Sequence, residues 1–336
     1  MGKNVGISAV ETDSVIRFKD YLNHILMRLG LNRNSSAVSP GLYRLGSPSG
    51  NSPVFVTANY TLSFDRLRQE IKGYDAWILV LDTKGINVWC AAGKGTFGTE
   101  ELIKQIKAAE LNKLVSHRNI VVPQLGAPGV AAHVVKSITG FRVVYGPVEA
   151  RHIPEFLTHG MKADSVMRKK EFPLKDRLAV APVEVVQAWP ILLSLTILFT
   201  AMAVFTYGWE IIMSGWVGTA LVPAVIAIVA GALFTPAFLP FLPGRPFAVK
   251  GFIASLPFLV IWVAIIPISI PLAVAAFLIV PAASSFLAMN FTGASTYTSF
   301  SGVKKEMRFA VPAQGGLAAA GIISGIILIF MQGGIL

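Results

Sequence analysis

Cysteine is nearly absent from this chain: Cys90 is the only one in 336 residues. A single thiol makes no disulfide within the chain. It also falls short of the about four cysteines that hold an iron–sulfur cluster, so no such cluster is expected here. Acidic residues are scarce as well, 18 against 29 Lys and Arg, and charged residues make up 14% of the chain, well below the roughly 25% of soluble domains. From residue 184 onward charge almost vanishes. That part holds five basic residues (Arg245, Lys250, Lys304, Lys305, Arg308) and three acidic ones (Glu184, Glu210, Glu306), while all five histidines lie before it. Its net charge of +2 leaves +9 of the chain's +11 to the first part. The chain is therefore two materials joined near residue 180.

These absences exclude several classes. No nucleic-acid module is evident, so the basic excess does not point to nucleic acid. The N-terminus lacks the apolar run of a signal peptide, and Gly6 stands where a myristoylation site carries Ser or Thr. The interiors of the apolar stretches hold no histidine or charge, which speaks against an ion or proton pathway. An anchoring and docking platform is then the plain reading of that half, with transport of a soft or neutral cargo as its rival.

What is present in the second half is long apolar sequence. Residues 211–244, 251–303 and 309–336 contain no Asp, Glu, Lys or Arg, and a helix crosses the hydrocarbon core with about 20 apolar residues. Five spans are expected near 187–207, 217–238, 251–270, 272–290 and 314–332. A re-entrant pair would explain 251–290, around Pro267 and Pro271, almost as well. Arg245 and Lys250 fall in the loop after the second span, and Lys304, Lys305 and Arg308 in the loop after the fourth. The opposite loops offer only Glu210. Positive-inside bias then puts the N-terminal domain in the cytoplasm and the C-terminus outside. Trp189 on one side and Tyr207, Trp209 and Trp216 on the other fit an aromatic belt. The run Arg168-Lys169-Lys170, with Lys175 and Arg177, reads as an anchor against anionic headgroups of the lipid bilayer.

The first half reads as a small α/β domain. Val15, Phe18, Leu22, Ile25 and Leu29 recur at helical spacing, with Ser14 as an expected cap and Gly30 as a stop. Residues 32–51, rich in Ser, Asn, Gly and Pro, read as a loop. Strands are expected at 54–58, 76–81, 119–122 and 141–145, and helices at 63–72, 99–111, 130–139 and 150–159. This alternation indicates βαβ units and a Rossmann-like parallel sheet, in which ligands bind beyond the carboxyl ends of the strands. Those ends carry Thr57 and Asn59, then Asp82-Thr83-Lys84-Gly85, then the 122–129 loop with Gly126. Gly, Thr and Asn there let a large flat ligand approach the backbone, although any one of these segments alone would be an ordinary turn. The domain plan is 1–165 for the α/β domain, 166–184 for a basic juxtamembrane linker and 185–336 for an all-α transmembrane domain.

Gly93-Lys94-Gly95-Thr96-Phe97-Gly98 matches the dinucleotide pattern G-x-G-x-x-G, but it does not directly follow its strand and lacks the acid about 20 residues later. A phosphate-binding loop fails too, since Lys94 is followed by glycine. Cys90, taken alone, reads as a small buried apolar residue, because free cysteine is mostly buried. Its neighbours change that reading.

The run Asn87-Val88-Trp89-Cys90-Ala91-Ala92-Gly93-Lys94-Gly95, continuing through Thr96-Phe97-Gly98-Thr99, resembles the signature of the mercury-methylating corrinoid proteins. The domain order agrees, and the chain also looks like a distant relative of the large subunit of the corrinoid iron–sulfur protein without its cluster cysteines. The resemblance implies a cobalt corrinoid of the cobalamin type, with Cys90 as catalytic residue and lower axial cobalt ligand on a short cap helix. It implies methyl transfer from methyl-Co(III) corrinoid to Hg(II), giving methylmercury. Thr57, Asn59, Asn87, Val88, Trp89, Ala91, Ala92, Gly93, Lys94 and Gly126 are the expected corrinoid neighbours. Lys94 reads three ways: a charge beside the thiol, a contact to a corrinoid amide, or a solvated side chain. A methyl carbanion leaves cobalt behind as Co(III), which must gain two electrons before it accepts another methyl cation. The implied partners are therefore a ferredoxin-like protein with two 4Fe-4S clusters (HgcB) and a methyltetrahydrofolate-type methyl donor system. The rival readings are a corrinoid methyl carrier for another acceptor and a corrinoid-binding membrane sensor or transport protein.

Overall fold

The computed structural model describes residues 9–32, 35–213, 216–266, 268, 270–294 and 300–332. They form two compact units, one running to Lys170 and one comprising Arg28–Gly30 with Glu171–Leu336. In the first unit the order is β1 (Val10–Thr12), α1 (Phe18–Arg28), β2 (Gly41–Leu45), β3 (Val54–Ala58), α2 (Thr61–Glu70), β4 (Ala76–Leu81), α3 (Val88–Lys94), α4 (Thr99–Ala108), α5 (Leu111–Leu114), β5 (Asn119–Val122), α6 (Ala132–Thr139), β6 (Arg142–Tyr145) and α7 (Ile153–Thr158). A turn of 3-10 helix, Gln124–Gly126, follows β5.

The six strands lie in the order β1-β2-β4-β3-β5-β6. β3 runs parallel to β4 and β5, and β5 runs parallel to β6. Successive residues of β3 and β4 go to opposite faces, as the pleat requires. Val54, Val56, Trp77, Leu79 and Leu81 pack with Val88, Ala91, Leu102, Ile106 and Val135 on one face. Phe55, Ala76, Ile78 and Val80 pack with Phe64, Leu67, Ile71 and Phe156 on the other. Both faces are covered, so every residue of both central strands is buried. The chain leaves β3 toward one face and β5 toward the other. The β3–β5 boundary is thus the switch point of a doubly wound sheet, where a crevice opens at the carboxyl ends.

Two expectations need correction. The 32–51 segment contains a strand: β2 pairs antiparallel with β4, from Gly41 opposite Val80 to Leu45 opposite Ala76, and β1 pairs parallel with β2. The sheet is therefore mixed, though mostly parallel. Leu42, Tyr43 and Leu45 supply the apolar strand within a segment whose turn-rich flanks hide it from a composition window. Ser14 is also not the cap of α1. Asp13 Oδ1 accepts the Val15 N–H and Asp20 Oδ2 accepts the Arg17 N–H, so the helix begins only at Phe18.

The second unit is helical: α8 (Leu174–Ala179), α9 (Ala181–Tyr207), α10 (Glu210–Met213), α11 (Trp216–Ile228), a π-helical turn Val229–Phe234, α12 (Thr235–Ala237), α13 (Phe247–Ile265), α14 (Ile270–Asn290) and α15 (Phe300–Gln332). Among the described residues five helical stretches are long and apolar enough to cross a membrane: Leu174–Tyr207, Ala220–Ala237, Phe247–Ile265, Leu272–Asn290 and Ser301–Ile327. The 251–290 stretch is two separate helices, with Pro267 outside the described residues. Lys250 is not in a loop but in the first turn of α13, where its ammonium donates to the Leu239 and Leu242 carbonyls. Lys304, Lys305 and Arg308 likewise belong to the start of α15, since helix continues upstream of the apolar run. Small residues let these helices approach closely. A side chain at Gly251 would meet Ser284 and Ala288, and Ser284 Oγ donates to the Gly251 carbonyl at 2.7 Å.

Candidate functional site

Cys90 lies on α3, the first helix after β4, at the carboxyl-end side of the sheet. Asn87 starts this helix: its Oδ1 accepts the Cys90 N–H at 2.9 Å, the bond by which Asn favours the cap position. Gly95 ends it with φ +81°, a conformation that glycine adopts without a Cβ penalty. Seven residues of helix present two faces. Val88, Ala91 and Ala92 are buried in the core beside β3 and β4. Trp89, Cys90, Gly93 and Lys94 look outward, with Trp89 and Lys94 exposed and Cys90 half-buried. A Cβ placed on Gly93 would meet nothing within 4 Å, so the space over that face is open. Trp89 exposes 39% of an aromatic side chain, an unfavourable placement for a group of that size unless something covers it.

The supports beneath α3 come from three loops. Asn59, buried just past β3, accepts at Oδ1 from the Thr83 N–H (3.0 Å), the Thr83 hydroxyl (2.8 Å) and the Gly85 N–H (3.0 Å). It thereby ties the end of β3 to the turn that leads into α3. In that turn Lys84 and Gly85 both have positive φ, +59° and +69°. Asp82 holds the strained lysine by accepting its N–H and its ammonium at 3.1 and 2.6 Å. The ammonium holds the Asp82 carboxyl below the usual carboxylate range. The third support is the loop after β5. The Phe97 ring packs on Gly126, where any side chain would collide with it, and Gly129 touches the Phe97 carbonyl and Ala92. Thr99 donates to the Gly129 carbonyl through its N–H at 3.1 Å and accepts the Ala131 N–H at 2.8 Å.

The geometry sorts the residues singled out in the sequence. Trp89, Cys90, Gly93 and Lys94 share one open face. Asn87 stands at its edge as the helix cap, and Val88, Ala91 and Ala92 face inward. Thr57 and Gly126 are buried, and Asn59 spends its carbonyl oxygen on the 83–85 turn. Sequence reasoning placed Asp82-Thr83-Lys84-Gly85 at a strand end, as a place for a ligand and not as the brace it forms with Asn59. It missed Glu101, whose Oε1 accepts the Asp82 N–H.

Chemically, the site offers one soft sulfur, a flanking aromatic and open space over a glycine. Among the described residues no group of three or more His, Cys, Asp or Glu could hold a metal ion. Such a site suits a metal that arrives inside a flat macrocycle and needs one axial ligand, not a bare ion.

Comparison with known proteins agrees in kind. Residues 26–157, which contain the whole of this site, match the family described as CdhD, CO dehydrogenase/acetyl-CoA synthase delta subunit. The acetyl-CoA decarbonylase/synthase complex subunit gamma of Methanopyrus kandleri is 35% identical over 127 residues, 37% of this chain and 27% of that protein. The same subunit of Archaeoglobus fulgidus is 29% identical over 161 residues, 45% of this chain and 34% of that protein. The corrinoid/iron-sulfur protein large subunit of Moorella thermoacetica is 32% identical over 121 residues, 35% of this chain and 27% of that protein. The chain thus covers only about a quarter to a third of these relatives. The α/β unit around Cys90 is similar to the CdhD family and to corrinoid/iron-sulfur large subunits, and it is followed by five apolar helices.

Proposed function

We propose that this chain is a membrane-anchored, corrinoid-dependent methyltransferase that methylates inorganic Hg(II), with Cys90 as the lower axial ligand of a cobalt corrinoid. The observation that carries the reading is Cys90, half-buried on an open helix face, inside a domain similar to corrinoid/iron-sulfur large subunits. When bound, the corrinoid supplies a methyl group that leaves with its electron pair, and two electrons from a ferredoxin-like partner with two 4Fe-4S clusters ready it for the next methyl from a methyltetrahydrofolate-type donor.

The chain's own residues do the rest. Cys90 would hold the metal, and a thiolate is a soft, strongly donating ligand that favours departure of an electron-rich methyl. Asn87 fixes the backbone of Cys90. Gly93 leaves open space beside it, and Trp89 would offer an aromatic surface to the macrocycle. Asn59 and Thr83 keep the turn before α3 rigid. In this proposal residues 1–165 are the corrinoid-binding domain, 166–184 the basic juxtamembrane linker and 185–336 the anchor. The first two are cytoplasmic, where reduced ferredoxins and folates occur.

Cys90→Ala tests the ligand role. It should abolish single-turnover transfer to Hg(II) and alter the visible spectrum of the corrinoid-loaded protein, at a stability cost of about 1 kcal/mol or less. Normal methylation by this variant would reject the assignment. A methyl carrier for another acceptor is the second reading, because several relatives are subunits of acetyl-CoA decarbonylase/synthase complexes. Loaded protein that delivers its methyl group to thiols and not to Hg(II) would favour it.

A further inference from the structure

Helix α1 turns an apolar stripe to the outside. Phe18 is 83% exposed and Ile25 55%, with Tyr21 and Leu22 exposed between them. These four residues recur at i, i+3, i+4 and i+7, one face of an amphipathic helix. Lys19 borders the stripe on one side and Arg28 on the other, while Arg17, just before the helix, pairs with Asp13. The stripe cannot simply roll inward, because the opposite face is pinned. His24 Nε2 lies 2.7 Å from the buried Asp65 carboxylate. Asn23 Oδ1 accepts from Asn32 and Ser36 at 3.1 and 2.9 Å, and Asp20 faces Arg68 at 3.4 Å. Met27, on this pinned face, is fully buried.

We propose that α1 is an interfacial helix that lays Phe18, Tyr21, Leu22 and Ile25 into the anionic surface of the bilayer that the five apolar helices cross. Two features favour lipid over a protein partner. The basic residues flank the apolar sector on both sides, the arrangement in which Lys and Arg stems lie along acyl chains while their charges reach headgroup phosphates. The stripe also combines two aromatics, Phe18 and Tyr21, with two aliphatics, Leu22 and Ile25, the composition of membrane-surface helices.

The inference rests on the membrane reading of the second unit, and one experiment separates the two. The full-length chain, with Cys90→Ala so that each introduced thiol is unique, would be nitroxide-labelled in turn at Leu22→Cys, Ile25→Cys, Lys107→Cys and Phe205→Cys. Each protein goes into nanodiscs of phosphatidylcholine and phosphatidylglycerol, and spin relaxation by oxygen is compared with that by a water-soluble nickel chelate. Labels at 22 and 25 should relax strongly with oxygen and weakly with nickel, as at 205 in α9, while 107 on α4 responds to nickel. Labels at 22 and 25 that respond to nickel as 107 does would overturn the proposal while leaving the membrane reading intact. Protection from both agents would overturn it too, since a protein surface would then cover the stripe. A nickel response at 205 would sink the membrane reading itself, and the proposal with it.

Discussion

At the scale of single residues, the site depends on groups that position Cys90 as much as on the thiol. Asn59 is the clearest case. Its Oδ1 satisfies two buried or half-buried N–H groups and one hydroxyl, and leaving a buried donor without a partner costs about 1–3 kcal/mol. Asn59→Ala should therefore lower the melting temperature of the α/β unit. In hydrogen exchange it should loosen the Thr83 and Gly85 amides before those of β5. Unchanged exchange at both amides would show that the turn holds itself. Asn59 is legible in the sequence as a polar residue at a strand end, but not as a brace. Its partners lie 24 and 26 residues away, and only the parallel pairing of β3 with β4 brings them together.

At the scale of elements, α3 is held by close backbone approach. A Cβ on Gly129 would press into the Phe97 carbonyl and lie 3.2 Å from the Ala92 Cα, and neither backbone atom can swing aside. Gly129→Ala is expected to cost about 1–3 kcal/mol by overpacking and to raise exchange at the Ala91 and Ala92 amides, with α6 largely unaffected. The turn before α3 carries a pH signature. The Lys84 ammonium depresses the Asp82 carboxyl below its ordinary 3.8. A depressed folded value means that the contribution is present above the ordinary value and is lost as pH falls through the lowered one. Both groups sit near the surface, so the effect on stability is small. The titration itself is the readout: Asp82 followed by NMR should titrate below its ordinary value, and Lys84→Ala should raise it. An Asp82 that titrates identically in both proteins would refute the pairing.

At the scale of the whole molecule, the open question is which way the five helices run. Arg245 lies between α12 and α13, Lys250 in the first turn of α13, and Lys304, Lys305 and Arg308 at the start of α15. If positive charge stays inside, both groups share a side with the α/β unit. Forcing a Lys or Arg into the hydrocarbon centre would cost about 2.5 kcal/mol or more. Reporter fusions at Gly244 and after Leu336, the latter outside the described residues, should report opposite sides of the membrane. The same side for both would overturn a five-span topology.

The sequence by itself determined the division into a basic α/β half and an apolar helical half. Both follow from the local period and length of apolar runs, which do not depend on distant contacts. β3, β4 and β5 have the bounds that their short, mostly apolar runs predict, because strands covered on both faces stand out from the turns around them. β2 was hidden, since five strand residues among Ser, Pro and Gly carry too little local signal and owe their conformation to β4. Continuous helix through Lys304, Lys305 and Arg308 was likewise missed, because charge ends an apolar window without ending a helix. Which of the nine residues around Cys90 face outward was decided by tertiary structure alone. Cap and stop at Asn87 and Gly95 allow a helix of seven residues, but its rotation is set by Val88, Ala91 and Ala92 packing on β3 and by Phe97 closing over Gly126. Only that packing turns Trp89, Cys90, Gly93 and Lys94 toward open space.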